Sequence, residues 1–203
     1  MVIKTILLPA VSTNCYLVAD EASKRCAIVD PGDPDPRILS TVRAEGWQVQ
    51  CILLTHAHYD HTMGVPALRQ DLPGVPVYVH PGDAEMPKPF FRIEEMGELT
   101  FYQDGDHVQV GGVDLEVLHT PGHTQGSVVL RAGDTLLTGD TLFKGSMGRT
   151  DLPGGSYDAM RASLRRLGGL EGDLTVLPGH MDPSTLDHER KYNYYLKEAM
   201  KED

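Results

Sequence analysis

Apolar residues follow two periods along this chain. Over residues 2–8, 14–19 and the string Cys26-Ala27-Ile28-Val29 they alternate or run unbroken, which predicts three strands. Ile38, Leu39 and Val42 then recur at helical spacing, and Gly46 closes that helix. Residues 49–55, Val-Gln-Cys-Ile-Leu-Leu-Thr, predict a buried strand; a helix carrying Val65 and Leu68 follows, then a short strand at 75–79. Strands resume at 107–110, 113–118, 127–131 and 135–138, with Gly111-Gly112 and Ala132-Gly133-Asp134 as hairpin turns. Tyr157, Met160, Leu164 and Leu167 make a helical packing stripe that Ser156 begins and Gly168 ends. Residues 174–177 predict a last strand, and 184–200 one terminal helix with Tyr192, Tyr195, Leu196 and Ala199 on one face. Two sheets packed together and covered by helices would accommodate this order.

Residues 80–106 fit neither period. Pro81, Pro87, Pro89, Phe90 and Phe91 suit a lid or a pocket wall, although a packed connection is the commoner explanation of such a stretch. With 203 residues and no linker or repeat, the expectation is one domain over residues 1–203.

Charge and cysteine usage narrow the setting. The formal net charge of −11 points away from nucleic acid and from anionic membrane surfaces, both of which attract a basic face. Cys15, Cys26 and Cys51 are odd in number and sit in apolar runs, so buried free thiols and a reducing cytoplasm are expected. Only Lys4 precedes Ile6-Leu7-Leu8, and Pro9 stops that run; neither a signal peptide nor a membrane span is expected.

The chemistry concentrates at the end of the 49–55 strand, in His56-Ala57-His58-Tyr59-Asp60-His61. A buried strand should not end in three imidazoles and a carboxylate without partners for them. His56 and His58 are two apart, so in extended backbone both rings leave the same side. Imidazole nitrogen and carboxylate oxygen suit zinc, iron or manganese, and four such groups in six residues exceed what one open ion needs. The spacing therefore points to two metals side by side. Further ligand-type residues each follow a strand: His119 and His123, then Asp140, then His180. The residues alone do not choose between His119 and His123, which flank the same Thr-Pro-Gly turn.

The strings HAHYDH (56–61), TPGHT (120–124), TGDTLF (138–143) and LPGH (177–180) resemble the metallo-β-lactamase superfamily over nearly the whole chain. Within it, residues 145–152, GSMGRTDL, and the ending with Ser184-Thr185-Leu186, Glu189-Arg190 and Asn193 are similar to the small glyoxalase II-like proteins. The resemblance implies an α+β fold, the four-layer αββα sandwich, with the metals in a groove at one edge of the two sheets. It implies one divalent ion on His56, His58 and His123 and a second on Asp60, His61 and His180, bridged by Asp140. Zinc is the first choice of metal, with iron or manganese as alternatives. Asp60 and Asp140 are the candidate catalytic carboxylates, and Asp30, in IVDPGD, resembles the acid that supports the ligands by hydrogen bonds. His119 then becomes a structural histidine, and His80, His107 and His188 carry no motif.

The reaction implied is attack on a carbonyl carbon by a hydroxide shared between the two ions, with no serine or cysteine nucleophile. A small-molecule thioester of the S-lactoylglutathione type is the expected substrate, and Arg149 and Lys144, just after Asp140, are candidates to meet its carboxylate. The chain departs from full-length glyoxalase II in having 23 residues after His180 where those proteins carry a further helical domain. It also departs near Asp151, where the family has a tyrosine. The rival reading is a persulfide (sulfur) dioxygenase, resembled at HTPGHT and GRTD, with one iron on His56, His123 and Asp140. A lactonase or other esterase on the same metals is the third. A β-lactamase is disfavoured because Asp60 and Asp140 stand where many such enzymes use a cysteine.

Overall fold

The computed structural model describes residues 1–84 and 93–201. Its strands are β1 (Val2–Leu8), β2 (Thr13–Asp20), β3 (Arg25–Val29), β4 (Gln48–Leu53), β5 (Val77–Val79), β6 (Thr100–Phe101), β7 (His107–Val110), β8 (Val113–His119), β9 (Val128–Ala132), β10 (Thr135–Gly139), β11 (Leu142–Phe143), β12 (Ser146–Met147), β13 (Thr175–Pro178) and β14 (Ser184–Thr185). The helices are α1 (Pro36–Ala44), α2 (Tyr59–Thr62), α3 (Val65–Asp71), α4 (Tyr157–Gly168), α5 (Leu186–Tyr192) and α6 (Tyr194–Met200). One sheet has the order β1-β2-β3-β4-β5-β6, a second the order β14-β13-β10-β9-β8-β7, and β11 pairs with β12 alone.

Strands buried on both faces explain the unbroken apolar runs. Along β2, Cys15, Leu17 and Ala19 face outward onto α1 and α3, where Ile38, Val42, Val65 and Leu68 cover them. Tyr16 and Val18 point the other way, into the space between the sheets, with Leu115, Val117, Val128, Leu130 and Leu137 opposite. On the far side Val129, Leu136 and Val176 pack against Met160 and Leu164 of α4 and Leu186 and Leu196 of α5 and α6. Helix, sheet, sheet, helix: the four expected layers are present. Each large aliphatic side chain buried this way contributes about 1.5–3 kcal/mol.

The terminal helix is two helices. Asn193 has extended backbone (φ −74°, ψ 116°), and its side-chain oxygen accepts from the Tyr195 and Leu196 amides, so it caps α6 just where α5 ends. Its amide nitrogen donates to Ser146 O at 2.8 Å and to Glu189 Oε2 at 2.8 Å. The bonds to Ser146 O and, at 3.2 Å, to Phe143 O tie Asn193 to the β11–β12 hairpin and outweigh the continuous apolar stripe. Between β5 and β7, the described residues form 3₁₀ turns at Pro81–Asp83 and Ile93–Met96 and the short strand β6. Pro87, Pro89, Phe90 and Phe91, proposed as a lid or wall, lie outside the described residues. Cys15, Cys26 and Cys51 are buried free thiols, and among the described residues no helix is long and apolar enough to cross a membrane.

β4 runs parallel to β3 and β5, and β10 parallel to β13, so the carboxyl ends of β4, β10 and β13 meet at one rim. Backbone bonds join the sheets there: Val128 N donates to Thr55 O at 2.8 Å and Asn14 N to Gly179 O at 2.7 Å. Tyr16 Oη donates to Pro178 O at 2.6 Å.

Candidate metal centre

At that rim the structure brings together all seven residues singled out as ligands. His56, His58 and His123 form one group of nitrogens, and Asp60, His61 and His180 another; His56, His61 and Asp140 make a third between them, each within 4.8 Å. Asp140 lies between the two sides: Oδ2 is 3.4 Å from His123 Nε2 and 3.6 Å from His180 Nε2, and Oδ1 is 3.4 Å from His61 Nε2. His180 Nε2 is 3.3 Å from Asp60 Oδ2 and 3.4 Å from His61 Nε2. Ligand atoms about 2.1 Å from a shared tetrahedral cation stand about 3.4 Å apart, which is the spacing found. The His58 Nδ1 to His123 Nε2 separation of 2.8 Å is shorter than that.

Proton positions favour cation binding. His61 Nδ1 donates to Asp30 Oδ2 at 3.0 Å, His123 Nδ1 to Arg149 O at 2.7 Å, and His180 Nδ1 to Ser12 O at 2.7 Å. Thr55 Oγ1 gives its proton to Asp30 Oδ2 at 2.6 Å, so it accepts from His56 Nδ1 at 3.2 Å. With Nδ1 hydrogen-bonded in all four rings, each turns Nε2 into the site as the nitrogen a cation would take. Among the described residues the buried His56 Nε2 has no hydrogen-bond partner, and neither has Asp140 Oδ1. Orphaned acceptors at one buried point fit a divalent cation.

Charge is divided unevenly across the site. Burial, with the other imidazoles around it, holds His56 well below the usual imidazole range, and burial and His123 bring His58 down to about 4. Burial opposes charge on His61 too, but Asp140 and Asp30 outweigh it and hold that ring well above its ordinary value. At His180 burial is likewise outweighed, chiefly by the hydrogen bond it donates to Asp60. Burial of Asp140 and Asp60 is overcome by the surrounding imidazoles, which keep both carboxyls below the usual range. Two carboxylates kept anionic beside imidazole Nε2 atoms form a donor set for hard or borderline divalent metals, and a cation binding there would displace the protons held on His61 and His180.

Close packing of backbone makes the convergence achievable. A Cβ at Gly179 would collide with Asp140 Oδ1 and stand 2.7 Å from His61 Cε1. One at Gly148 would collide with the Asp140 carbonyl. Asp30 itself takes a left-handed conformation (φ 50°) and accepts from Thr55 N at 2.7 Å, fixing the strand end from which His56 leaves.

A cavity of about 500 Å³ opens over the site, walled by Tyr59, Phe143, Met147, Leu152 and Met181 beside His58, Asp60, His123, Asp140 and His180. Arg149 lines it, with Nε and Nη2 each 2.7 Å from the Asp151 carboxylate. Lys144 is not among the described residues that line it: at the tip of the β11–β12 hairpin it is half exposed, with its ammonium 3.8 Å from Asp182. His119 stays out of the centre. It donates from Nε2 to Gln125 O at 2.8 Å and stacks on His80, ring centres 4.0 Å apart. His107 pairs with Asp114, and His188 packs on Tyr192. Sequence spacing gave no hint of Thr55, Ser12 or the Arg149 carbonyl as supports, since a backbone acceptor has no signature of its own. Nor did it mark Asp83, a second fully buried carboxylate close behind the site.

The chain belongs to the metallo-beta-lactamase superfamily, whose family model matches residues 8–180. It is similar to hydroxyacylglutathione hydrolase GloC of Haemophilus influenzae, 32% identical over 97% of this chain and 98% of that protein. Among solved structures it resembles the B3 metallo-beta-lactamase BLEG-1, with a TM-score of 0.82 and 31% identity over 96% of this chain and 99% of that one. It also resembles TTHA1623, solved in a di-iron-bound form, with a TM-score of 0.80 and 33% identity over 95% and 99% of the two chains. The superfamily is one of metallo-hydrolases, and its fold implies divalent metal binding.

Proposed function

We propose that this protein is a dinuclear metal-dependent hydrolase that cleaves small-molecule thioesters of the hydroxyacylglutathione class. The observation that carries the reading is the convergence of His56, His58 and His123 on one side and Asp60, His61 and His180 on the other, with Asp140 between them, beneath an open cavity. His56, His58 and His123 would hold one ion, Asp60, His61 and His180 the second, and Asp140 both. Bound there, two divalent ions supply Lewis acidity, lowering the pKa of water toward neutrality and polarising a carbonyl oxygen. The protein does the rest. Asp30, Thr55, Ser12 and the Arg149 carbonyl orient the imidazoles. Tyr59, Phe143, Met147, Leu152 and Met181 offer an apolar wall against which the acyl group lies. Arg149 offers a guanidinium to a substrate carboxylate.

Similarity to the hydroxyacylglutathione hydrolase GloC along nearly its full length supports a thioester substrate. Zinc remains the first metal, and the di-iron form of TTHA1623 supports iron as the alternative. Three buried thiols suit a reducing cytoplasm. The test is turnover of S-lactoylglutathione, a simple alkyl thioester, a lactone and a β-lactam by one preparation, before and after chelation. Thioester cleavage lost with the metal and restored by reloading is expected. Metal-loaded protein that cleaves no thioester overturns the substrate reading.

The second reading, a persulfide dioxygenase, draws on the strings at 119–124 and 148–151. It leaves Asp60, His61 and His180 without a role, although they stand as a full second donor group. One iron per chain with oxygen uptake on glutathione persulfide would replace the hydrolase by this reading.

A further inference from the structure

Behind the rim, Asp83 joins two ligand loops that are distant in sequence. Its carboxylate is fully buried. Oδ2 accepts from the Ala57 amide at 2.9 Å and from Thr124 Oγ1 at 2.9 Å, while Oδ1 accepts from the Gly126 amide at 2.7 Å. Ala57 lies between His56 and His58, and Thr124 follows His123. The anchored backbone therefore flanks the three imidazoles of one centre.

The seam between these segments is tight. A Cβ on Gly82 would stand 2.8 Å from Gln125 O, and one on Gly126 would stand 2.6 Å from Asp83 Cγ. Glycine at both places lets the Pro81–Asp83 turn press against residues 124–127. Ser127 Oγ accepts from Thr124 N at 3.1 Å and lies 2.8 Å from Thr124 Oγ1, so the hydroxyl that binds Asp83 is itself held. All three partners of Asp83 are donors. A carboxylate can accept from every one; an amide in its place would turn N–H groups toward a donor.

We propose that Asp83 is a positioning residue for the His56–His58–His123 centre, fixing the distance between the Ala57 peptide and Thr124 so that three imidazoles converge. Asp30 differs in serving both centres, His61 directly and His56 through Thr55. The inference rests on the reading of these histidines as ligands to one cation.

Metal-stripped wild-type protein, Asp83→Asn, Thr124→Val and Asp30→Asn are titrated with zinc and, for its visible absorption, with cobalt. Wild type should bind two ions per chain. Asp83→Asn should keep one at wild-type affinity and bind the other about 10–100-fold more weakly, the usual effect of losing a group that orients a ligand. Thr124→Val, which removes one of the three bonds, should weaken the same ion by less, and Asp30→Asn, whose carboxylate reaches His61 directly and His56 through Thr55, should weaken both. The ratio of the two affinities would not respond to a general loss of stability. If Asp83→Asn does not fold, Thr124→Val carries the test. Two ions at wild-type affinity, or equal weakening of both, overturns the inference while leaving the dinuclear reading standing. Wild-type protein that binds no ion overturns the ligand reading and this inference together.

Discussion

His61 donates from Nδ1 to Asp30 Oδ2 at 3.0 Å, and neither side chain is appreciably exposed. The same carboxylate accepts from the amide and hydroxyl of Thr55, next to His56, so one acid sets the entry of the whole ligand loop. Asp30→Asn keeps the left-handed backbone but cannot accept all three bonds. Besides its effect on metal binding, it should lower unfolding stability by about 1–3 kcal/mol, because buried donors lose their acceptor. Urea unfolding of the chelated protein measures this.

Gly179→Ala should leave the fold in place and remove the second centre. The added methyl would meet Asp140 Oδ1 and His61 Cε1, displacing two proposed ligands. A shift of about 1 Å in such groups costs about 100-fold in rate. Unchanged circular dichroism with loss of bound metal and of turnover is the expected pair of results.

Arg149 and Lys144 should separate cleanly in kinetics. Arg149 lines the cavity, whereas Lys144 faces Asp182 outside it. Arg149→Ala should raise KM about tenfold for a carboxylate-bearing thioester, the loss of one charge-assisted contact, and leave kcat and neutral thioesters alone. Lys144→Ala should change KM by less than about twofold, since its exposed ion pair contributes little.

How much of this was legible in the sequence depended on the range of the contacts involved. His56 to His61 announce themselves because one strand end carries them all, and the four layers follow from runs such as 14–19 that bury both faces. Choosing His123 over His119 needed the resemblance; the structure separates them by giving His119 the Gln125 carbonyl and the His80 ring. The break at Asn193 was invisible because its cause lies at Phe143 and Ser146, far off along the chain, not in the helical stripe. Asp83 was missed for the same reason: its partners are Ala57, Thr124 and Gly126, and no local spacing connects them. Lys144 looked well placed from its distance to Asp140 along the chain, but the hairpin turn points it elsewhere.

Acid should weaken the fold through His80. Burial, with His119 stacked beside it and Asp104 only partly compensating, holds its pKa down to about 4 against an ordinary 6.5. The unfolded chain therefore takes up this proton near pH 6.5 and the folded one only near 4, so the stabilisation is complete above 6.5 and is lost as pH falls toward 4. His80→Asn keeps an acceptor for the Gly82 amide, to which His80 Nδ1 is bonded, but removes the titration. The difference in urea midpoint between wild type and this variant, both chelated, should shrink between about pH 7 and pH 5.

The proposed ligand side chains are shared between the sheets: His56, His58, Asp60 and His61 leave β4, while His123, Asp140 and His180 follow β8, β10 and β13. Each ion held there would thus cross-link two halves of the molecule, and its binding energy would add to the work of prising them open. Deuterium uptake should accordingly rise on chelation at the loops after β4, β10 and β13, like a book whose clasp has been undone, with the far edge at β7 unaffected.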